Sequence, residues 1–155
     1  MRSGKVTKRI VEADPIYKSK TLSRMINVIM QKGEKSVARS VVYGALEKLA
    51  ADKKEAGQMF EDAIKNVMPA QEVRSKRVGG ATYQVPTPVK HERSEALAIR
   101  WIINAARSKK GKPMDEKLFE ELRSAKDGTG AAIKKRDDVH KMAEANRAFA
   151  HFGKF

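Results

Sequence analysis

Arg74, Lys76 and Arg77 precede a Gly79-Gly80 pair and Tyr83 follows it, in the run EVRSKRVGGATYQVPTP from Glu72 to Pro88. Clustered cations beside an aromatic ring are equipment for holding phosphates and bases rather than for making bonds. Arg100 to Met114 has the same character, with no acidic residue among Arg100, Arg107, Lys109, Lys110 and Lys112. A third cluster, Arg2, Lys5, Lys8 and Arg9, precedes the first acid at Glu12, in a stretch too polar to fold by itself and expected to order on binding. Any one of these is what a solvated loop carries. Three of them, in a chain with 33 Lys and Arg against 19 Asp and Glu and a formal net charge of +14, point to a polyanionic partner.

Catalysis finds no comparable set. There is no Cys, the three His stand apart at 91, 140 and 151, and no Walker-type phosphate loop occurs. The pairs Asp115-Glu116, Glu120-Glu121 and Asp137-Asp138 read as helix residues whose charge offsets the N-terminal dipole. His140 is within helical reach of Asp137, but no nucleophile stands beside them. The chain therefore reads as a non-enzyme, with no catalytic residue, metal site, cofactor or small-molecule substrate. Lack of Cys fits a reducing compartment, with the cytoplasm as the default. No apolar run reaches the roughly 18 residues of a membrane span, and MRSGKVTKRI reads as neither signal peptide nor anchor.

The elements that position these clusters are mostly helical, and 155 residues fit one domain. Leu22, Met25, Ile26 and Ile29 mark a first helix that Ser19 caps and Gly33 ends. Val37, Val41, Ala45, Leu46 and Leu49 mark a second, and Met59, Phe60, Ala63, Ile64 and Val67 a third that Pro69 stops. ALAIRWIINAA, Ala96 to Ala106, is apolar nearly all round and reads as a central helix surrounded by the others, with Trp101 in the core. Leu118, Phe119, Leu122 and Ala125 mark a fifth helix. Val139, Met142, Ala143 and Phe149 mark a sixth, starting between Ala131 and Asp138. The Lys and Arg of the second half of the second helix alternate with Glu47, Asp52 and Glu55, as on any ordinary solvated face.

Val73 to Val85 breaks the helical habit, because Gly79 and Gly80 accept the positive φ of a tight hairpin turn. That turn puts Arg74, Lys76, Tyr83 and Val85 on one face and Ser75, Arg77, Thr82 and Gln84 on the other. Neither face is purely apolar, and a lone hairpin is marginal in water. The expectation is an arm projecting from the bundle and steadied by a partner, with Pro86 and Pro88 limiting how far it pairs. Tyr83 either stacks on a base or packs across the strands. On residue types alone, an RNA-binding protein and a DNA-bending protein with minor-groove β-arms both fit.

Longer motifs separate these readings. RVGGATYQVP at Arg77 to Pro86, LAIRWIINAAR and the closing TGAAIKKRDDVHKMAEANRAFAHF, with DPIY at Asp14 to Tyr17 and KNVMP at Lys65 to Pro69 in the same order, strongly resemble the family of bacterial small-subunit ribosomal proteins numbered seven. The likeness covers essentially the whole chain. It implies a mainly α fold, a six-helix bundle with a protruding two-stranded β-hairpin between the third and fourth helices. The single domain, 1–155, would comprise a basic arm at 1–18, the hairpin at 73–85 and a tail at 148–155. The resemblance further implies direct binding to the 3′ major domain of 16S rRNA, nucleation of head assembly in the small ribosomal subunit, and possible repression of its own messenger.

By the same resemblance, Arg2, Lys5, Lys8, Arg9, Lys20, Lys32, Lys35, Arg100, Arg107, Lys109, Lys110, Lys112 and Met114 hold ribosomal RNA. Arg74, Lys76, Arg77, Gly79, Gly80 and Tyr83 line the exit-site transfer RNA and the messenger's exit path. Other head proteins, and a platform protein across the exit-site cleft, are the implied neighbours. The family's usual Gly-Lys-Lys or Gly-Lys-Arg is here Gly33-Glu34-Lys35, and the linker TPVKHERSEA keeps only Lys90 and Arg93 as cations. The ending AHFGKF also departs from the usual aromatic finish, and Phe155 receives no role.

Overall fold

Helix α1, Lys20–Ile29, begins where the Ser19 hydroxyl accepts the Leu22 N–H at 3.4 Å, and it buries Leu22, Met25, Ile26 and Ile29. It stops earlier than Gly33. Lys32 (φ 50) and Gly33 (φ 82) instead shape the left-handed reversal that follows. The computed structural model describes residue 4 and residues 10–154, so Arg2, Lys5, Lys8, Arg9 and Phe155 lie outside the described residues. Among the described residues, α2 is Lys35–Leu49, α3 Lys53–Val67, α4 His91–Ser108, α5 Met114–Lys126 and α6 Ala131–Ala145. Strands β1, Gln71–Val78, and β2, Ala81–Pro88, lie between α3 and α4, and a 3-10 helix, Arg147–Lys154, closes the chain. No described helix is long and apolar enough to cross a membrane.

The core is one cluster contributed by all six α-helices, with Phe60, Leu46, Ile99, Ile102, Leu118 and Leu122 fully buried. Helix α4 buries Ala98, Ile99, Ile102, Ile103 and Ala106 against α1, α3, α5 and α6. It is not surrounded, because Ala96, Arg100, Asn104 and Arg107 keep an exposed stripe at helical spacing. Trp101 is half-buried against the core, the packing role read from its position. The buried Glu95 of α4 is paired with Arg24 of α1, which pins those helices together.

Two helices bury different faces from those the spacing predicts. Helix α2 buries Ala38, Val42, Ala45 and Leu46, leaving Val37 exposed and Val41 half-buried. Val37-Ala38 and Val41-Val42 are adjacent apolar pairs, so periodicity admits two stripes, and packing against α1, α3 and α5 selects one. Helix α6 buries Ala132, Ile133 and Ala143, exposes Met142 and ends before Phe149. Between its apolar residues sit Arg136, bonded to the Asn66 carbonyl, and His140, whose Nε2 accepts the Ala70 N–H at 3.0 Å. These satisfy backbone groups where α3 gives way to β1, and His140 is not engaged with Asp137.

The hairpin extends beyond Val73 to Val85, pairing antiparallel from Val78↔Ala81 to Gln71↔Pro88. Gly79 (φ 57) and Gly80 (φ 88) supply the two positive-φ turn residues. Pro86 and Pro88 do not end the ladder. Counted from the turn, they fall at alternate, non-hydrogen-bonded pairs, where the missing N–H would face away from β1. The strands lie on α6 and on the 3-10 helix, and the turn end, residues 79–82, is exposed throughout. What reads from sequence as a tail over 148–155 is, as far as Lys154, part of that covering helix.

Candidate nucleic-acid interface

The last carbonyls of a helix need outside donors, and the last turn of α1 contains no basic residue of its own. Arg107, in the last turn of α4, supplies one, its Nη2 donating to the Ile29 carbonyl at 3.1 Å. This bond draws the loop after α1 against the end of α4. Lys32 stands in that loop, whereas Lys35 lines a separate cleft with Asp14 and Arg39. Between the loop and the end of α4 runs a groove of about 300 Å³ with apolar walls of Ile29, Val37, Val41 and Met114 and a rim of Gln31, Glu34 and Arg107. Val37 and Val41, core residues by sequence spacing, are thus groove residues. Met114 is half-buried at the start of α5, and Lys32, Glu34 and Lys35 are exposed.

Carboxylates of α5 sort the three loop lysines. Lys109 lies 3.1 Å from Glu121 and 3.6 Å from Glu120, and Glu121 is only 1% exposed while accepting the Ala132 N–H at 2.9 Å. Glu121 therefore caps the start of α6 from a neighbouring helix, and Lys109 neutralises it. Lys112 bonds Glu120 at the surface. That hydrogen bond raises the Lys112 pKa and holds the Glu120 carboxyl below its ordinary value. Lys110 is exposed and, among the described residues, makes no ion pair. The acidic pair Glu120-Glu121 is mid-helix in α5, so its work is pairing rather than offsetting a dipole. A Glu one place before Leu122 and three after Leu118, on the apolar stripe, was the available signal for a buried, paired carboxylate.

Other expected contacts lie elsewhere. Lys20 is exposed at the opposite end of α1 from the groove, and Arg100 is exposed about two turns before Arg107 on α4. The hairpin residues form a separate group. Its register puts Arg74 and Lys76 beside Val85 and Tyr83 on one face, with Ser75 and Arg77 beside Gln84 and Thr82 on the other, as the turn implied. Arg74 Nε bonds Glu72 at 2.7 Å, and Arg93 approaches the other Glu72 oxygen at 3.4 Å. Burial would raise the Glu72 carboxyl, but the Arg74 hydrogen bond and the charges of Arg74 and Arg93 bring it below its ordinary value. Tyr83 packs its ring 5.3 Å from Phe149 and 5.0 Å from Phe152, and Lys76 Nζ donates to the Phe152 carbonyl at 2.9 Å.

DPIY is a structural hub. Asp14, 2% exposed, accepts the N–H groups of Ile16 and Tyr17 at 3.1 Å and the Tyr43 hydroxyl at 2.7 Å. It ties the turn before α1 to α2. A larger cavity of about 730 Å³, between the start of α1 and α3, mixes Lys18, Lys53, Lys54 and Lys65 with Asp52, Glu61 and Asp62. Four cations against three carboxylates give it no marked preference for either sign of charge. Among the described residues, no three His, Asp or Glu gather as metal ligands.

Comparison with known proteins gives one consistent result. The family model described as Ribosomal protein S7p/S5e matches residues 1–147. The chain is 57% identical over 153 residues to the small ribosomal subunit protein uS7 of Fervidobacterium nodosum, covering 98% of this chain and 99% of that one. It is 54% identical over 155 residues to the uS7 protein of Pelotomaculum thermopropionicum, 97% of each chain. With the uS7 protein of Pelagibacter ubique it shares 53% identity over 146 residues, 94% of each.

Proposed function

From the premise that this chain belongs to the ribosomal protein S7p/S5e family, a structural constituent of the small ribosomal subunit and not an enzyme, we propose that it binds the 3′ major domain of 16S rRNA directly and nucleates assembly of the subunit's head. The observation that supports this reading is the groove corner, where Arg107 lines an apolar cleft and ties the end of α4 to the Ile29 carbonyl, with Lys32, Lys110 and Lys112 exposed in the two loops that adjoin it. Cations around a cleft suit an RNA junction. Phosphates are neutralised at the rim, and selection comes from shape, because A-form duplexes hide their base edges in a deep groove. Arg2, Lys5, Lys8 and Arg9 would add phosphate contacts beyond Asp14, and Lys20 and Arg100 would widen the footprint.

The hairpin, with Arg74, Lys76, Arg77, Gly79, Gly80 and Tyr83, is assigned to the exit-site transfer RNA and the messenger's exit path. Its separation from the groove corner supports a division between attachment and the subunit interface. Other head proteins and a platform protein across the exit-site cleft complete the proposed partners, and the attachment surface is the one that would bind the protein's own messenger in autorepression. The test is binding of the purified protein to a transcript of the 3′ major domain, against duplex DNA of equal length and scrambled RNA, across a salt series. Selective RNA binding that survives physiological salt is expected. Equal binding to all three, collapsing with salt, would restore the DNA-bending reading.

A further inference from the structure

We propose that the C-terminal 3-10 helix, Arg147–Lys154, is a clasp that sets the hairpin in one pose before RNA arrives and turns its Ser75, Arg77, Thr82 and Gln84 face outward to RNA; the second half of this rests on the nucleic-acid reading above. A two-stranded ribbon is marginal by itself, so something must cover one of its faces. The covered face is identified by the register. Val85 is 1% exposed, and a Cβ placed on Gly153 would stand 3.4 Å from the Val85 side chain, so the clasp backbone approaches closely there.

In a 3-10 helix residues three apart eclipse, which puts Phe149 and Phe152 on one side. Their centroids are 6.5 Å apart, and both rings meet Tyr83. Lys76, on the same hairpin face, closes the contact through its bond to the Phe152 carbonyl. Only Arg147 of the clasp falls among the residues matched by the family model, so family membership assigns the segment no role.

The opposite face has different chemistry. Ser75, Arg77, Thr82 and Gln84 are all exposed, and together offer a guanidinium, two hydroxyls and an amide, the donors that meet phosphate and sugar oxygens. Arg77 makes no ion pair among the described residues, whereas Arg74, exposed on the face that Val85 and Tyr83 share, is held by Glu72. The outward face is therefore the one whose cation is available. Single-stranded RNA is the class of ligand that a polar ribbon of this width fits, met along its backbone rather than through stacking on the engaged Tyr83.

Amide hydrogen exchange on the full-length protein tests the clasp without RNA. In Phe149→Ala/Phe152→Ala, the hairpin amides between 74 and 85 are expected to exchange at least tenfold faster while those of α4 and α5 stay unchanged. Lys76→Met, a milder change, should shift the same amides in the same direction by less. Unaltered hairpin protection in both variants overturns the clasp, whatever RNA does. The outward face is tested in the unclipped protein by Arg77→Gln and Lys110→Gln, each titrated against the 3′ major domain bound to a single-stranded messenger segment. Loss of messenger crosslinking to the hairpin in Arg77→Gln alone supports the assignment. Unchanged crosslinking in Arg77→Gln, while Lys110→Gln still weakens domain binding, overturns the outward face and leaves the nucleic-acid reading standing. If neither variant alters binding, that reading fails first.

Discussion

At the corner between the α1–α2 and α4–α5 loops, cations are countered by carboxylates arriving from α5; in the hairpin they are countered by Glu72 on the same strand and by a carbonyl from the chain's far end. The corner grades its cations by the burial of their partners. Lys112 sits on a surface carboxylate that a phosphate can replace, and Lys109 on a buried one that it cannot. The hairpin sorts its cations by face instead. A net charge of +14 thus describes how strongly the chain is drawn to a polyanion, while the pairing decides which side chains remain to touch it.

The largest expected effect tests that grading. Lys109→Met leaves the Glu121 carboxylate buried without its cation and should cost about 2 kcal/mol in chemical denaturation, below the roughly 3–5 kcal/mol of a fully buried pair because Lys109 keeps part of its surface in water. Lys112→Met should leave the denaturation midpoint unmoved, since its partnership with Glu120 is a surface one. Equal losses in the two variants would remove the distinction between locked and exchangeable cations.

RNA binding should separate the same residues in the reverse order. Lys110→Gln with Lys112→Gln is expected to flatten the logarithmic salt slope by about 1.4 to 1.8, at roughly 0.7 to 0.9 per phosphate contact. Adding Lys109→Gln should flatten it no further. A slope that falls again with the third substitution would return Lys109 to the contact surface.

Much of this molecule is legible in its sequence because the signals are local. Ser19 caps α1, Pro69 follows the end of α3, Gly79 and Gly80 make the turn, and alternation divides the hairpin into the faces observed. Three other signals mislead for one reason: the deciding neighbour lies far along the chain. Val37 and Val41 have helical spacing, but α1, α3 and α5 select the adjacent stripe. Phe149 continues the spacing of α6, yet it leaves that helix to meet Tyr83, more than sixty positions earlier. Lys109 and Lys110 are neighbours of one type, and only the fold gives the first a buried carboxylate. The cationic clusters were readable, whereas their partners were not.

Acid should loosen the hairpin. Glu72 titrates below its ordinary 4.5 in the folded protein, so the stability it contributes is present above about pH 4.5 and is lost as pH falls through the folded value. Hairpin amide protection should then drop a few-fold relative to α4 amides in a titration downward from pH 4.5, and Glu72→Gln should abolish that drop. A pH response that persists in Glu72→Gln would place the acid sensitivity elsewhere.

The smallest expected effect concerns Tyr83 and decides what its ring is for. Its contacts are with Phe149 and Phe152, and no hydrogen bond of its hydroxyl occurs among the described residues. Tyr83→Phe keeps both ring contacts and should leave hairpin protection and RNA affinity unchanged. Tyr83→Leu keeps an apolar side chain but loses the ring geometry, worth about 0.5–1.5 kcal/mol per aromatic pair beyond burial. It should speed hairpin exchange a few-fold with domain affinity intact. A ring that stacked on a base would give the opposite pattern, with affinity falling in Tyr83→Leu and exchange in the free protein unmoved, because the partner lost would be RNA rather than the chain's own C-terminal helix.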